Sequence, residues 1–481
     1  MIGDELKYRI LQALRLAPTS EQAHALDVFS MFMTDRREHV VMILRGSAGT
    51  GKTTLAAAMV RALGSLQQKL VLLAPTGRAA KVFSLYSGHE AFTIHRRIYR
   101  QKSAADLSAF TLNDNLNRNT LFIVDEASMI ANDAGGEFGS GCLLDDLMQF
   151  VYNGMNCRLL LIGDRAQLPP VGADESPALS AEVLQGYGMT VYESDLSQVL
   201  RQSEDSGILW NATRIRRSLE DRVDGIEYAT ALPKVRLQGF PDVQVVPGDE
   251  LIESLASSYS RVGLDDTIVV TRSNKRANIY NQGIRNTVLD RECELCRGDQ
   301  LMIVKNNYYW IKGEGGIQDV PIGFIANGDR AVVQRVRNIH ELYGFRFADV
   351  TMQFPDYDDY ELTATVILDS LTTEAPALTR EQQQHLFEAV MEDYAYINRK
   401  ADRMESLRKD PHYNALQIKF AYAVTCHKAQ GGQWAHVYLD QGYMTDEMLT
   451  PDYFHWLYTA FTRATEKLFL VNWPQAQIER L

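Results

Sequence analysis

The sequence is poor in cysteine, and its few cysteines form no recognisable framework. Five cysteines in 481 residues predict reduced thiols in a cytosolic protein, not a disulfide scaffold. A lone Cys293-x-x-Cys296 pair lacks the two further ligands that a structural zinc site needs, so zinc is a weak alternative there. The five positions are Cys142, Cys157, Cys293, Cys296 and Cys426.

Excess positive charge and long apolar runs are also missing. The net charge is -12, which excludes a globally basic nucleic-acid protein but leaves room for a locally basic groove. No apolar run reaches 18 residues, and the N-terminus lacks a basic-then-apolar signal. We therefore expect no membrane association and a cytoplasmic location. The length allows two to four domains with ample core.

A glycine-rich loop dominates what is present. Residues 46–53 match G-x-x-x-x-G-K-[ST], after an apolar run at Val40–Leu44 and before a helix-forming segment. In such a loop backbone N–H groups and the helix N-terminus bind phosphates, the lysine reaches the β- and γ-phosphates and the hydroxyl ligates Mg²⁺. The sequence therefore predicts an ATP and Mg²⁺ site formed by Gly46, Ser47, Ala48, Gly49, Thr50, Gly51, Lys52, Thr53 and Thr54.

Apolar runs alternate with helix-like segments on both sides of this loop. In the first part the runs are Val40–Leu44, Leu70–Leu73, Leu121–Val124 and Leu159–Ile162, which favours a parallel sheet covered by helices. A second set begins near Ile268 and resumes at 437–439 and 468–471, while 290–415 looks like an inserted β module closed by a charged helical stretch. Ligands of such sheets bind at the carboxyl ends of the strands.

Further candidates follow these strand ends. Asp125 would hold Mg²⁺ and Glu126 would act as general base toward water. Gln167 follows another strand end and would contact the γ-phosphate or its water, although a plain turn explains that string equally well. Arg201 and Arg463 are candidate γ-phosphate contacts, although an arginine is more often a solvated surface residue.

The order of these motifs resembles superfamily 1 helicases, specifically the 5′→3′ branch that includes RecD and Dda. Residues 46–53 look like motif I, 74–80 motif Ia, 125–129 motif II, 163–171 motif III, 200–202 motif IV, 422–431 motif V and 458–464 motif VI. Motif III has a Gln-Leu-Pro-Pro form that is similar to motif III of that branch. By this resemblance, Gln22 would read adenine and Gly431 would also belong to the nucleotide site.

The resemblance implies an α/β fold of two RecA-like parallel-sheet domains of the P-loop NTPase class. The first domain would span 1–195 with a small pin at about 100–119, and the second would comprise 196–290 and 416–481. Residues 291–415 would form an SH3-like insertion plus a helical segment. ATP would lie between the domains, with Arg463 from the second and Arg201 from the junction.

Single-stranded DNA is implied to run across both domains. The candidate contacts are Pro75, Thr76, Thr93, His95, Phe110, Pro169, Thr425 and His427. Phe110 would be the wedge of the pin or a stacking platform, although a core phenylalanine is as good an interpretation.

The sequence thus predicts a 5′→3′ DNA helicase driven by Mg²⁺-ATP. The direction rests on the resemblance alone, which also implies a monomer acting on single strands and duplex junctions beside replication or repair proteins. The alternatives are an RNA helicase of the same superfamily, an idle single-strand-binding module and a P-loop phosphotransferase. Motifs V and VI argue against the phosphotransferase, and the hydrolytic residue types argue against the idle module.

Overall fold

The structure is a computed structural model that describes residues 2–103, 106–132, 140–199, 205–223, 233–307, 309–311, 324–445, 448 and 450–479. Two parallel sheets each form a lobe, and a small barrel is inserted in the second lobe. The first lobe denotes the six-stranded sheet with its helices, and the second lobe denotes the five-stranded sheet with its helices. The RecA-like two-lobe expectation and the small closed barrel are confirmed.

The first lobe is a six-stranded parallel sheet in the order β3-β2-β6-β7-β1-β8. Every residue of β1 and β6 is buried, which is why both appear as continuous apolar runs in the sequence. The strands are β1 Val40–Gly46, β2 Lys69–Ala74, β3 Ala91–Thr93, β6 Thr120–Val124, β7 Arg158–Gly163 and β8 Thr190–Leu196.

Helices cover both faces of this sheet. The first helix has an amphipathic pattern that buries Leu6, Ile10 and Leu14, and the second begins with a capping box between Thr19 and Gln22. The helices are α1 Ile2–Leu14, α2 Ser20–Thr34, α3 Lys52–Ser65, α4 Gly77–Ser87, α5 Ile94–Ile98, α6 Leu143–Tyr152 and α7 Ala181–Gly186.

A two-stranded antiparallel hairpin projects from the first lobe at the predicted position of the pin. It consists of β4 Tyr99–Ser103 and β5 Asp106–Leu112, with Gln101 opposite Phe110. Residues 104 and 105 lie outside the described residues, as do the side chains of 101–110, including that of Phe110. The strand-splitting role of this hairpin stays a prediction.

The second lobe is a five-stranded parallel sheet in the order β16-β10-β17-β18-β9. Its strands are β9 Val243–Val246, β10 Thr267–Thr271, β16 Ala423–Thr425, β17 Trp434–Asp440 and β18 Ala464–Val471. Its helices are α8 Gly207–Val223, α9 Leu251–Val262, α10 Asn274–Gly283, α13 Cys426–Ala429 and α14 Pro451–Phe461. Almost all of α14 is buried.

The insertion is a closed barrel with a helical pair beside it. Its strands are β11 Gln300–Ile303, β12 Arg330–Leu342, β13 Phe345–Phe354, β14 Tyr360–Ile367 and β15 Leu416–Phe420, and its helices are α11 Arg380–Asp393 and α12 Lys400–Arg408. The expected bounds of 291–415 stop short of the last strand, because β15 returns to close the barrel against β11 and β14 before the chain re-enters the second lobe.

The cysteines divide into two groups. Cys142, Cys157 and Cys426 are free and buried, as expected of reduced thiols. The expectation is wrong for Cys293 and Cys296, whose sulfur atoms are bonded to each other in the loop before β11. Within the described part of the chain, no helix combines the length and the apolarity needed to span a bilayer.

Candidate nucleotide site and nucleic-acid surface

The glycine-rich loop joins β1 to α3, and side chains of the loop donate hydrogen bonds to its own backbone. Gly49 and Gly51 both have a φ of 78°, a conformation that favours glycine. The Thr50 hydroxyl donates to the carbonyl of Ser47 at 2.8 Å, and the Lys52 ammonium donates to the same carbonyl at 2.9 Å. The lysine is therefore folded back over the loop, in the place where a bound phosphate would meet it.

The carboxyl ends of three adjacent strands bring the predicted chemistry to one edge of the sheet. Strands β6, β7 and β1 are neighbours in the sheet, and they lead directly into Asp125, Asp164 and the glycine loop respectively. Oδ1 of Asp125 accepts from the backbone N–H of Glu126 at 2.9 Å. Burial, and next the adjacent Glu126 charge, raise the pKa of Asp125 to about 7. Glu126 itself holds a left-handed φ of 53°, a strained conformation for a glutamate.

Asp164 is a site residue that the sequence analysis missed. Its side chain is 3% exposed, and its Oδ1 accepts from the N–H of Ala166 at 3.0 Å. Its Oδ2 accepts from the hydroxyl of Tyr458 at 2.6 Å and lies 3.9 Å from Nζ of Lys52. The available signal was an aspartate directly after an apolar strand, the same pattern that singled out Asp125.

Tyr458 was also missed, since it appeared only as part of the motif VI string. It lies on α14 of the second lobe, yet its hydroxyl accepts from the backbone N–H of Ala48 in the glycine loop at 2.8 Å. The second lobe therefore touches the predicted nucleotide site directly. No periodicity in the apolar stretch of α14 distinguishes this tyrosine from a core residue.

The two predicted glutamines are buried in different ways. Gln167 is 6% exposed, and its Oε1 has no hydrogen-bond partner among the described residues. Gln22 is engaged at both ends, because its Oε1 accepts from the N–H of Thr19 at 3.1 Å and its Nε2 donates to the carbonyl of Thr50 at 2.9 Å. Gln22 thus fixes the glycine loop to α2, and its role in reading adenine stays a prediction.

Of the two predicted arginines, the structure describes only Arg463. Arg463 is 2% exposed, and its guanidinium donates to the carbonyls of Thr459 at 2.9 Å and Gly432 at 3.0 Å, both in its own lobe. Arg201 lies outside the described residues, so its contact with the γ-phosphate stays a prediction.

The motif III loop is bound by the second lobe. The N–H of Leu168 donates to the hydroxyl of Thr459 at 2.8 Å, and the carbonyl of Leu168 accepts from Nε2 of Gln430 at 2.7 Å. Nδ1 of His455 donates to the carbonyl of Ala166 at 3.0 Å. Residues from α14 and motif V thus fix the backbone on both sides of Gln167.

A second contact between the lobes lies on the predicted nucleic-acid side. Arg78 of α4 donates to the carbonyl of Gln433 at 2.7 Å, and its guanidinium stacks 4.3 Å from the ring centre of Trp434. A Cβ on Gly431 would lie 3.2 Å from Oγ1 of Thr76. Gly431, predicted as part of the nucleotide site, therefore packs against motif Ia in this structure.

Three predicted DNA contacts share one local geometry. Thr93 and Thr425 are the last residues of β3 and β16, and Thr76 lies two residues after β2. All three stand at the N-cap of the next helix. The hydroxyls of Thr76 and Thr93 accept from the backbone N–H groups of Ala79 at 3.2 Å and Arg96 at 3.3 Å. These threonines lie on both lobes, as a strand crossing between them requires.

The remaining predicted contacts differ in exposure. Pro75 is half-buried, Pro169 is buried and His427 is exposed. His95 is half-buried against Tyr99 and Phe324, with ring centres 5.7 and 6.2 Å away, and burial lowers its pKa to about 4. His95 is therefore neutral near pH 7 and cannot serve as a charged phosphate ligand there.

Known proteins match the chain in both lobes. Residues 17–227 match the AAA domain family, and residues 420–471 match the UvrD-like helicase C-terminal domain. The ATP-dependent DNA helicase dda of Enterobacteria phage T4 is 23% identical over 446 residues, which cover 86% of this chain and 90% of that protein. The ATP-dependent RecD2 DNA helicase of Deinococcus radiodurans is 32% identical over 315 residues, covering 57% of this chain and 38% of that protein.

More distant matches extend over almost the whole chain. The ATP-dependent DNA helicase Pif1 of Campylobacter jejuni is 23% identical over 465 residues, covering 90% of this chain and 89% of that protein. A crystal structure of Pif1 helicase from Bacteroides with ADP-AlF3 and ssDNA aligns with a TM-score of 0.46 at 14% identity, covering 97% of this chain and 95% of that one. That structural likeness is too distant to support an inference.

The glycine loop, the paired carboxylates and the two parallel-sheet lobes define a P-loop NTPase with two RecA-like domains. In its motif order and in its matches over both lobes, the chain is similar to superfamily 1 helicases of the branch that includes RecD and Dda.

Proposed function

We propose that this protein is an ATP-dependent DNA helicase that moves 5′→3′ along single-stranded DNA and unwinds duplex ahead of it. The observation that carries the proposal is the contact between Tyr458 of the second lobe and Ala48 of the glycine loop. One triphosphate site is thereby shared by two lobes. Hydrolysis at such a site changes the contact between the lobes, and differential contacts are what convert a ligand into motion.

The residues at the strand ends fit a magnesium-bound triphosphate. Oxygen ligands are those that Mg²⁺ prefers, and the Thr53 hydroxyl with the Asp125 carboxylate would hold it. The raised pKa of Asp125 reflects a carboxylate placed in a buried and negatively charged site, which a divalent cation would compensate. When bound, the ion would neutralise charge on the transferring phosphoryl group.

The protein residues would then divide the work of hydrolysis. Lys52 would leave the carbonyl of Ser47 for the β- and γ-phosphates. Glu126 would orient and deprotonate the attacking water, and the unpaired amide oxygen of Gln167 would accept from that water. Arg463 and Arg201 would stabilise charge on the γ-phosphate once the lobes close.

The nucleic acid would lie across the threonine-bearing strand ends of both lobes. Hydroxyl and backbone contacts to phosphates give affinity without sequence preference. The hairpin β4–β5 would separate the strands at the junction. A base-pair step costs about 1.4 kcal/mol on average to open, so the wedge must be coupled to ATP-driven stepping. We place this activity inside the cell, in a monomer working with replication or repair proteins.

A strand-displacement assay tests the proposal. Duplexes with a 5′ tail, a 3′ tail or no tail are mixed with protein, Mg²⁺ and ATP, and released strand is measured. We expect release from the 5′-tailed duplex alone. The Lys52→Ala variant should release none and should lose ssDNA-stimulated ATP turnover by at least about 100-fold. Preferential release from the 3′-tailed duplex would contradict the direction, and normal turnover by Lys52→Ala would contradict the helicase function.

A further inference from the structure

A single hydroxyl of the second lobe bridges two groups of the first lobe's nucleotide site. Tyr458 is 1% exposed, and its oxygen accepts from the N–H of Ala48 at 2.8 Å while its proton is donated to Oδ2 of Asp164 at 2.6 Å. Burial first, and then the Asp164 charge, raise the pKa of this phenol well above its usual value. The hydroxyl therefore stays protonated and acts as a donor throughout the working pH range.

Asp164 connects this hydroxyl to the catalytic lysine. The carboxylate is 3% exposed, so it depends on its donors for stabilisation. Those donors are the N–H of Ala166 and the hydroxyl of Tyr458, with the Lys52 ammonium 3.9 Å away. When Lys52 turns to the phosphates of ATP, Asp164 loses that nearby positive charge. The hydrogen bond from Tyr458 then carries a larger share of its stabilisation.

Movement of Tyr458 cannot be separated from movement of α14. Two further residues of the helix bind the motif III loop, Thr459 through the N–H of Leu168 and His455 through the carbonyl of Ala166. Arg463 follows the same helix by two residues and donates back to the carbonyl of Thr459. A change at the Tyr458 hydroxyl is therefore transmitted to the motif III loop and to the candidate arginine finger together.

We propose that Tyr458 is a positioning residue that reports the nucleotide state of the first lobe to α14 of the second. This inference rests on the proposed function, because it deepens the account of the same site. The Tyr458 hydroxyl is hydrogen-bonded to Ala48, in the loop that would bind the triphosphate, and to Asp164, which lies near Lys52. A bound triphosphate that draws Lys52 away would therefore alter both hydrogen-bond partners of the hydroxyl at once. Removing the hydroxyl should leave ATP bound but should weaken the response of the second lobe to it.

The same helix supplies a matched control. Tyr453 is 2% exposed, and its hydroxyl donates to Oε1 of Gln441 at 2.8 Å, within the second lobe. Tyr453→Phe removes a buried hydrogen bond of α14 and leaves the contact with the first lobe intact, whereas Tyr458→Phe removes the two hydrogen bonds that its hydroxyl makes to the first lobe. A difference between the two variants therefore isolates the inter-lobe contact from the stability of the helix.

The experiment measures steady-state ATP turnover of the full chain against ATP concentration, with and without a poly-dT oligonucleotide. In Tyr458→Phe we expect KM for ATP to stay within about threefold and the stimulation of kcat by poly-dT to fall about tenfold, as for one lost hydrogen bond to a charged group. Tyr453→Phe should keep the stimulation of the wild type. Asp164→Asn should reproduce the loss, and adding Tyr458→Phe to it should cost little more.

The outcomes separate this inference from the proposed function. Full stimulation in Tyr458→Phe overturns the positioning role and leaves the helicase proposal standing. An equal loss in Tyr453→Phe also overturns it, because a general weakening of α14 then explains the effect. A wild-type protein that poly-dT does not stimulate overturns the proposed function, and this inference with it.

Discussion

The two lobes have similar sheets but contribute to the site in different ways. In the first lobe the site residues follow strand ends directly, as Asp125 follows β6 and Asp164 follows β7. In the second lobe, Tyr458 of α14 contacts the first lobe, whereas Arg463, two residues beyond that helix, is hydrogen-bonded within its own lobe. In the proposed mechanism the first lobe therefore supplies the hydrolytic groups, and the second lobe would complete the site when the lobes close.

The difference between contacts across the lobes and contacts within one lobe is clearest near the C-terminal end of helix α14. Tyr458 contacts the glycine loop, whereas Arg463 is bonded to the carbonyls of Thr459 and Gly432. An arginine held by neutral carbonyls of its own lobe can act as a finger only after it exchanges them for phosphate oxygens. In this structure the two lobes are therefore in contact while the Arg463 guanidinium is hydrogen-bonded within the second lobe.

Replacing Arg463, the candidate arginine of the second lobe, should have the largest effect on the rate of ATP hydrolysis. We expect Arg463→Ala to lower kcat for ATP about 10³-fold or more, the range measured for arginine fingers, while the Kd for ATP changes within a few fold. Turnover and nucleotide binding are measured in parallel, with melting temperature as a check on folding. Arg214→Ala is the control, because that arginine is an exposed residue of α8 paired with Glu479. A kcat equal to wild type would make Arg463 a structural residue of the second lobe.

Glu126→Gln tests the first lobe by itself. The amide keeps the shape of the side chain and its left-handed backbone, but it cannot take a proton from water. We expect kcat to fall about 10²- to 10⁴-fold, with binding of ATP and of single-stranded DNA retained. Glu182→Gln, at an exposed position of α7, serves as the matched control. Normal steady-state turnover would remove Glu126 from the role of general base.

Much of the first lobe could be predicted from sequence because its central strands are buried on both faces. Such strands appear as continuous apolar runs, and their ends place the carboxylates. In the insertion, β13 and β15 carry the alternating apolar and polar residues of a strand, as in the Leu-Gln-Ile-Lys-Phe sequence of β15, but the sequence analysis did not resolve them individually. Barrel closure by β15 is a long-range pairing that no local pattern specifies.

The features of the candidate site that could not be predicted from the sequence have a similar cause. The motif strings located Arg463 and Tyr458, but nothing in a mostly apolar helix indicates which side chain faces the other lobe. Gln22 was predicted as a reader of adenine, and only its neighbours show that it joins Thr19 to Thr50. Side-chain direction depends on tertiary contacts, which a single sequence does not contain.

The smallest expected effect concerns the contact between the first lobe and the insertion, where His95 lies against Phe324. Burial lowers the pKa of His95 from 6.5 to about 4, so its contribution to stability is present above pH 6.5 and is lost as the pH falls toward 4. The difference is at most about 3 kcal/mol, since the ring is only half-buried. In His95→Phe, which keeps the aromatic packing, the urea midpoint should fall less between pH 7 and pH 5 than in the wild type. The control is His24→Gln at an exposed position of α2, which should follow the wild-type pH dependence. A His95→Phe curve parallel to the wild type would show that the contact does not exclude a charged imidazole.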